Sequence, residues 1–195
     1  MKAVIKSVSP RICEKVTHGD CTILLSKTAP QCGVPFKCYI YCTQGKPTVC
    51  LLGVADMFAV TKQNGKVIGE FVCDNVEKFS VGSLRCDDIV KLACLSYKEI
   101  IDYFYKENEL DGRTSKLGYA WHISDLKIYD LPKDLSEFRK PLKSVYCNRW
   151  KQYGCDEGCV GFDGTDFYCR DYWNWTDGIT RPPQSWRYAL VKNDK

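Results

Sequence analysis

The chain has 195 residues, 45% hydrophobic and 27% charged, the balance of a folded globule with a sizeable core and not of a disordered chain. Its longest apolar stretch, 49–60, is interrupted by Asp56 and is far shorter than the ~20 residues a membrane span needs. The opening MKAVIKSVSP lacks a long apolar run, so no secretory signal is expected and a reducing, cytoplasmic setting is the default. The net charge of +4 is mild but uneven: residues 1–50 carry Lys2, Lys6, Arg11, Lys15, Lys27, Lys37 and Lys46 against Glu14 and Asp20. That excess reads either as a solvated lysine face or as a surface for an anionic ligand.

KAVIKSV alternates and is rich in β-branched residues, which predicts a strand over 2–8. Ser9-Pro10 is a helix start, and Gly19 ends the short helix 10–18. A strand is expected over 22–26 and a loop over 29–35, followed by the strong strand PFKCYIYCT. Residues 48–60 are ambiguous between strand and helix. Gln63-Asn64-Gly65 is a hairpin-type turn, and KVIGEFVCDNV (66–76) a strand with Gly69 as a bulge. Ser96 and Glu99 form a capping box ahead of a helix over 96–106. Residues 107–117 read as a loop, YAWHISDLKIYD (119–130) as one long, bent strand, and LPKDLSEF as a short connection. The end, TRPPQSWRYALV, enters a last strand. These elements predict an α+β fold built on a mixed, partly closed β-barrel.

Thirteen cysteines are unusual. Nine lie between Cys13 and Cys94, mostly beside apolar residues, where a free cysteine acts as a small buried hydrophobe. Cys147, Cys155, Cys159 and Cys169 differ. They sit in an irregular stretch, 146–175, dense in glycine, aspartate and aromatic residues. Four thiolates there suit a structural zinc ion, but only Cys155 and Cys159 have knuckle spacing, so free thiols and disulfides stay open. The aromatic residues of this third, interleaved with Arg149, Lys151 and Arg170, are either a small core or a stacking surface for bases.

His122 alternates with Trp121 and Ile123 along its strand, so it faces away from both, as a structural histidine or a catalytic one. His18, at a helix C-terminus, reads as a cap. Glu70 either faces the barrel mouth as a base or hydrogen-bond acceptor, or lies on the solvent side of its strand.

The order of segments then matters. GDCTILLSK follows the first helix; FKCYIYCTQGK, GKVIGEFVCD, ACLSYKEI, YAWHISDLKIYDLPKDLSEF and RPPQSW come after it. Together they resemble an ASCH domain of the PUA-like superfamily, in the long version found in phages and prophages. The resemblance implies a domain made of 1–145 and 176–195, with the Cys-rich stretch as an insertion. It also implies a cleft below the barrel that binds RNA or modified nucleosides.

One branch of that family is similar to an amidohydrolase for acetylated cytidine. Its characteristic loop has Lys, Thr and Arg where this chain has Cys21, Leu24 and Ser26. Leucine is no nucleophile, and serine cannot replace the guanidinium fork. The expectation is therefore a non-catalytic module binding RNA, single-stranded nucleic acid or a nucleotide. Thr22, Lys27, Glu70, Tyr119, Trp121 and His122 would contact the ligand, Tyr119 or Trp121 as a stacking face. Lys2, Lys6, Arg11, Lys15 and Lys37 would supply positive charge. Two alternatives stand beside it: a phage-encoded protein that inhibits a host defence factor, and a nucleoside amidohydrolase with rearranged catalytic residues.

Overall fold

The structure is a computed structural model describing residues 3–44, 64–81, 86–105, 116–139 and 178–191. The expectations for 48–60, most of 107–117 and the Cys-rich stretch 146–175 lie outside these residues, as do Lys2, Cys147, Cys155, Cys159 and Cys169.

The described elements are β1 (Ala3–Val8), α1 (Pro10–Thr17), β2 (Ile23–Ser26), β3 (Phe36–Cys42), β4 (Lys66–Cys73) and β5 (Val76–Ser80), then α2 (Cys86–Leu92) and α3 (Tyr97–Phe104). After these come β6 (Leu117–His122), β7 (Ser124–Asp134), a 3₁₀ turn (Leu135–Glu137), β8 (Phe138–Arg139), β9 (Trp186–Tyr188) and β10 (Leu190–Val191). Five strands form one sheet in the order β7-β4-β3-β1-β9, with β1 and β3 parallel. A second sheet has the order β2-β6-β5, and β8 pairs with β10. This mixed, incompletely closed arrangement is the expected partly open barrel.

Three clusters of buried side chains explain why β1 and β3 are apolar on both faces. Val4, Val8, Cys38 and Ile40 point between the two sheets, where they meet Leu24 and Trp121. Ala3, Ile5, Tyr39 and Tyr41 point the other way, against Leu135, Phe138 and Ile179. On the far side of the second sheet, Ile23, Leu25, Phe79 and Ala120 pack on Ile89, Ile100 and Phe104 of the helices. Gly118 is needed there: a Cβ would sit 2.5 Å from Phe79 Cζ and 2.7 Å from Phe104 Cζ.

The helix ends follow the sequence signals. Gly19 takes φ +80°, and the N–H groups of Gly19 and Asp20 donate to the carbonyls of Val16 (3.0 Å) and Lys15 (2.9 Å), a Schellman ending. At α3 the Glu99 N–H donates to Ser96 Oγ (3.3 Å), and the Ser96 N–H to Glu99 Oε2 (2.8 Å), which completes the capping box. Ser9 stands at the N-cap of α1, but its side chain makes no capping hydrogen bond.

Three expectations change. The strand expected over 66–76 breaks at Asp74-Asn75, and the chain re-enters the second sheet as β5. The long strand over 119–130 is two strands, because the chain passes from one sheet to the other at Ile123 and Asp125 takes φ +48°. LPKD is not a connection: β7 runs through it to Asp134 as an edge strand, which tolerates Pro132. The short helix α2 carries no clear start signal in the sequence. Gly69 sits where the β4 register shifts, and a Cβ there would lie 2.4 Å from the Lys127 carbonyl oxygen.

Candidate functional site

A cavity of about 240 Å³ opens where the end of β1 and the start of α1 meet β2, the α2–α3 connection and residues 184–185. Its apolar wall includes Ile12, Leu24, Leu25 and Leu95; its polar lining includes Lys6, Glu99 and Tyr103. The last wall is held by Ser7, whose hydroxyl donates to the Pro183 carbonyl (2.6 Å) and whose N–H donates to the Ser185 carbonyl (2.8 Å). RPPQSW thus closes one side of the cavity. Its Trp186 donates from Nε1 to Thr28 Oγ1 (2.9 Å) and packs edge-on against Trp121, with ring centroids 5.8 Å apart.

Lys6 is the unusual residue of this wall. It shares a face of β1 with Val4 and Val8 and is only 3% exposed. Its Nζ stands 4.5 Å from the Trp121 ring centroid. Among the described residues it makes no ion pair and no hydrogen bond. Burial pushes its pKa down from 10.5 to about 8; the nearby Cys38 and Cys73 thiols oppose this weakly. Both thiols are themselves pushed up by burial, Cys73 to about 12. Lys6 is therefore a buried amine whose charged form lies against the electron-rich indole face.

Two further cations contact residues that line the cavity. Arg11 on α1 pairs with Glu99 on α3. Hydrogen bonding to Ser96 holds the Glu99 carboxyl below its ordinary range, with Arg11 adding to the effect. Lys27 is exposed, with Nζ 5.2 Å from the centroid of Tyr103.

The other predicted residues fall elsewhere. Trp121 is fully buried between Lys6, Phe36 and Trp186, so it presents no free face for stacking. Tyr119 is half-buried against the core between the sheets, opposite Ser26. Thr22 is exposed, and its backbone joins Leu92 and Ile123. His122 lies on the face opposite Trp121, its Nε2 3.9 Å from Glu77 Oε2, outside hydrogen-bonding distance. Lys15 donates to the Cys94 carbonyl (2.9 Å).

Glu70 belongs to the sheet face away from the cavity. It pairs in register with Tyr39, accepts from Lys37 Nζ (3.1 Å) and from the Tyr129 hydroxyl (2.7 Å), and is bound on both oxygens. Burial raises its pKa, but the Tyr129 and Lys37 hydrogen bonds outweigh that and lower it overall. Lys37 is thereby committed to Glu70.

The three loop positions singled out by the resemblance are all buried. Cys21 donates to the carbonyls of Ile23 (3.1 Å) and Ala93 (3.5 Å), and Leu24 lines the cavity. The Ser26 hydroxyl is inaccessible and has no hydrogen-bond partner among the described residues. Sequence reasoning placed Lys6 among surface charges and overlooked Glu99 and Tyr103. The signal for Lys6 was present: Val4-Lys6-Val8 puts it on the same face as two core valines.

Against known proteins, no family model and no curated sequence matches the chain. Among solved structures it is similar to a serine-to-alanine variant of the ASCH protein from Zymomonas mobilis. The identity is 16% and the TM-score 0.54, over 98% of this chain and 89% of that one. A second ASCH structure from the same organism has 19% identity and a TM-score of 0.49, over 69% of this chain and 74% of the other. The fold is thus that of the first of these ASCH structures, and at this identity the likeness is one of fold.

Proposed function

We propose that the cavity binds a single nucleobase or nucleotide, free or as an unstacked unit of RNA or single-stranded nucleic acid, and does not turn it over. The observation that carries this reading is the buried ammonium of Lys6 in the wall of a small, mostly apolar cavity. A cation in an apolar wall with no hydrogen-bond acceptor among the described residues gains from one, and an incoming carbonyl or phosphate oxygen would supply it. The apolar wall suits a flat, weakly polar base, while about 240 Å³ is too little for a strand. Lys27, over the Tyr103 ring, would meet the sugar-phosphate, whereas Arg11 is paired with Glu99. Without a nucleophile at Leu24, and with Glu70 on the far face, the cavity is suited to holding a ligand unchanged.

The test is equilibrium binding of a fluorescein-labelled single-stranded RNA, and its DNA counterpart, at two salt concentrations. Binding that weakens with salt and drops at least roughly ten-fold in Lys6→Met is expected. No binding at ~100 µM protein, weaker than ordinary non-specific association, removes the reading.

A further inference from the structure

Two walls of the cavity meet at a seam between residues 20–22 and 92–94. The Thr22 N–H donates to the Leu92 carbonyl (3.0 Å), which sets the segments side by side. Two cysteines then reach across in opposite directions. The Cys21 thiol donates to the Ala93 carbonyl (3.5 Å), and the Cys94 thiol donates to the Asp20 carbonyl (3.1 Å). Each sulfur lies against the peptide unit leading into the other cysteine. Both thiols are free; Cys21 is buried and Cys94 is half-buried, so an oxidant has access from one side. Cys94 adopts φ +51°, in the left-handed region that a non-glycine residue seldom occupies. The Lys15 ammonium donates to the Cys94 carbonyl (2.9 Å) beside the seam, while burial pushes the Cys21 thiol up to about 11, so the half-buried Cys94 is the sulfur an oxidant meets first.

We infer that Cys21 and Cys94 form a redox clamp on the cavity, closed by a disulfide under peroxide. The Cys94 thiolate attacks the peroxide O–O bond, giving a sulfenic acid and, after proton uptake, water. Cys21 sulfur then displaces the hydroxyl from Cys94 sulfur, forming the S–S bond and a second water. Two thiols lose two electrons and two protons, and one peroxide is reduced to two waters.

The consequence follows from chain order. Cys21 leads into Ile23, Leu24 and Leu25, and Cys94 lies between Ala93 and Leu95; all five neighbours line the cavity. A sulfur–sulfur bond of about 2 Å would replace the looser thiol–carbonyl contacts and draw the two walls together. The clamp's effect on ligand rests on the binding role proposed above; its formation does not.

The test uses the full chain, reduced or treated with hydrogen peroxide. Non-reducing peptide mapping is expected to find Cys21 joined to Cys94, with the linked peptides lighter by two hydrogens. Affinity for the labelled single-stranded RNA is expected to fall roughly ten-fold and to return with dithiothreitol. Cys94→Ser is expected to abolish both changes while the reduced variant binds as the parent does. Absence of the Cys21–Cys94 peptide overturns the inference, and so does a linkage that leaves RNA affinity unchanged. If the reduced protein binds no RNA, the binding role has failed separately. The clamp is then judged by linkage together with hydrogen exchange, which must slow at amides 20–25 and 92–95 on oxidation.

Discussion

Replacing Lys6 with methionine is expected to stabilise the protein while removing ligand binding. The magnitude comes from the depressed pKa. Unfolded, the lysine titrates near 10.5; folded, at about 8. At ~1.36 kcal/mol per pH unit, that difference is a penalty of about 3 kcal/mol for keeping Lys6 charged in the native state at pH 7. Methionine keeps most of the apolar volume, removes the charge and can contact the Trp121 ring through sulfur. For a chain of this size about 3 kcal/mol corresponds to a rise in Tm of roughly 6–12 °C.

The sign also gives a pH signature. Between about 8 and 10.5 the unfolded chain binds more protons than the folded one, so the parent gains stability as pH rises. The advantage of Lys6→Met should therefore shrink by about 1 kcal/mol between pH 7 and 9. Denaturant melts of both proteins, in reducing buffer at the two pH values, measure this directly. A methionine variant no more stable than the parent at pH 7 refutes the buried-cation account.

Ligand binding should show the same titration from the other side. If the ammonium is the donor, affinity for the labelled RNA falls roughly ten-fold between pH 7 and 9, as Lys6 loses its proton; a flat profile excludes Lys6 as the contact. Glu70→Gln should leave RNA affinity within about two-fold, because Glu70 lies on the opposite face, yet lower stability by about 1–3 kcal/mol through Lys37 and Tyr129. Since its pKa is lowered, the stabilisation Glu70 gives is present above its ordinary value of 4.5 and is lost as pH falls; acid melts of the two proteins should converge. Gly118→Ala forces a Cβ against Phe79 and Phe104, and calorimetry should show a loss of about 1–3 kcal/mol.

The parts of the fold legible in the sequence were those fixed locally. The Ser96–Glu99 capping box and the Gly19 helix end are set by the residues that form them, and both appear as read. The break at Asp74-Asn75 and the sheet change at Ile123 were not legible, because both depend on which sheet the next strand joins. A continuous alternating pattern cannot reveal that its two halves pair with different partners. The candidate site divides in the same way. Alternation placed His122 opposite Trp121, but whether Trp121 faced solvent or core depended on the five-stranded sheet closing over it. The two faces of the larger sheet are both buried, so sequence offered no inside and outside by which to assign Glu70.

The position of Lys6 also bears on the loop after α1 that the resemblance singles out. The resemblance implies cations at the positions of Cys21 and Ser26, on a loop and a short strand. Here those side chains are uncharged and buried, and the cation of the cavity stands on β1, the strand bracketed by β3 and β9. A lysine held there has little freedom to follow a moving charge in a reacting substrate. It is pre-positioned to meet one acceptor atom at one place, which favours recognition over turnover. Under the proposed binding role, the cost of burying Lys6 would be offset when an acceptor meets it. Affinity and stability should therefore move in opposite directions at this position, whereas an ordinary core residue would move them together.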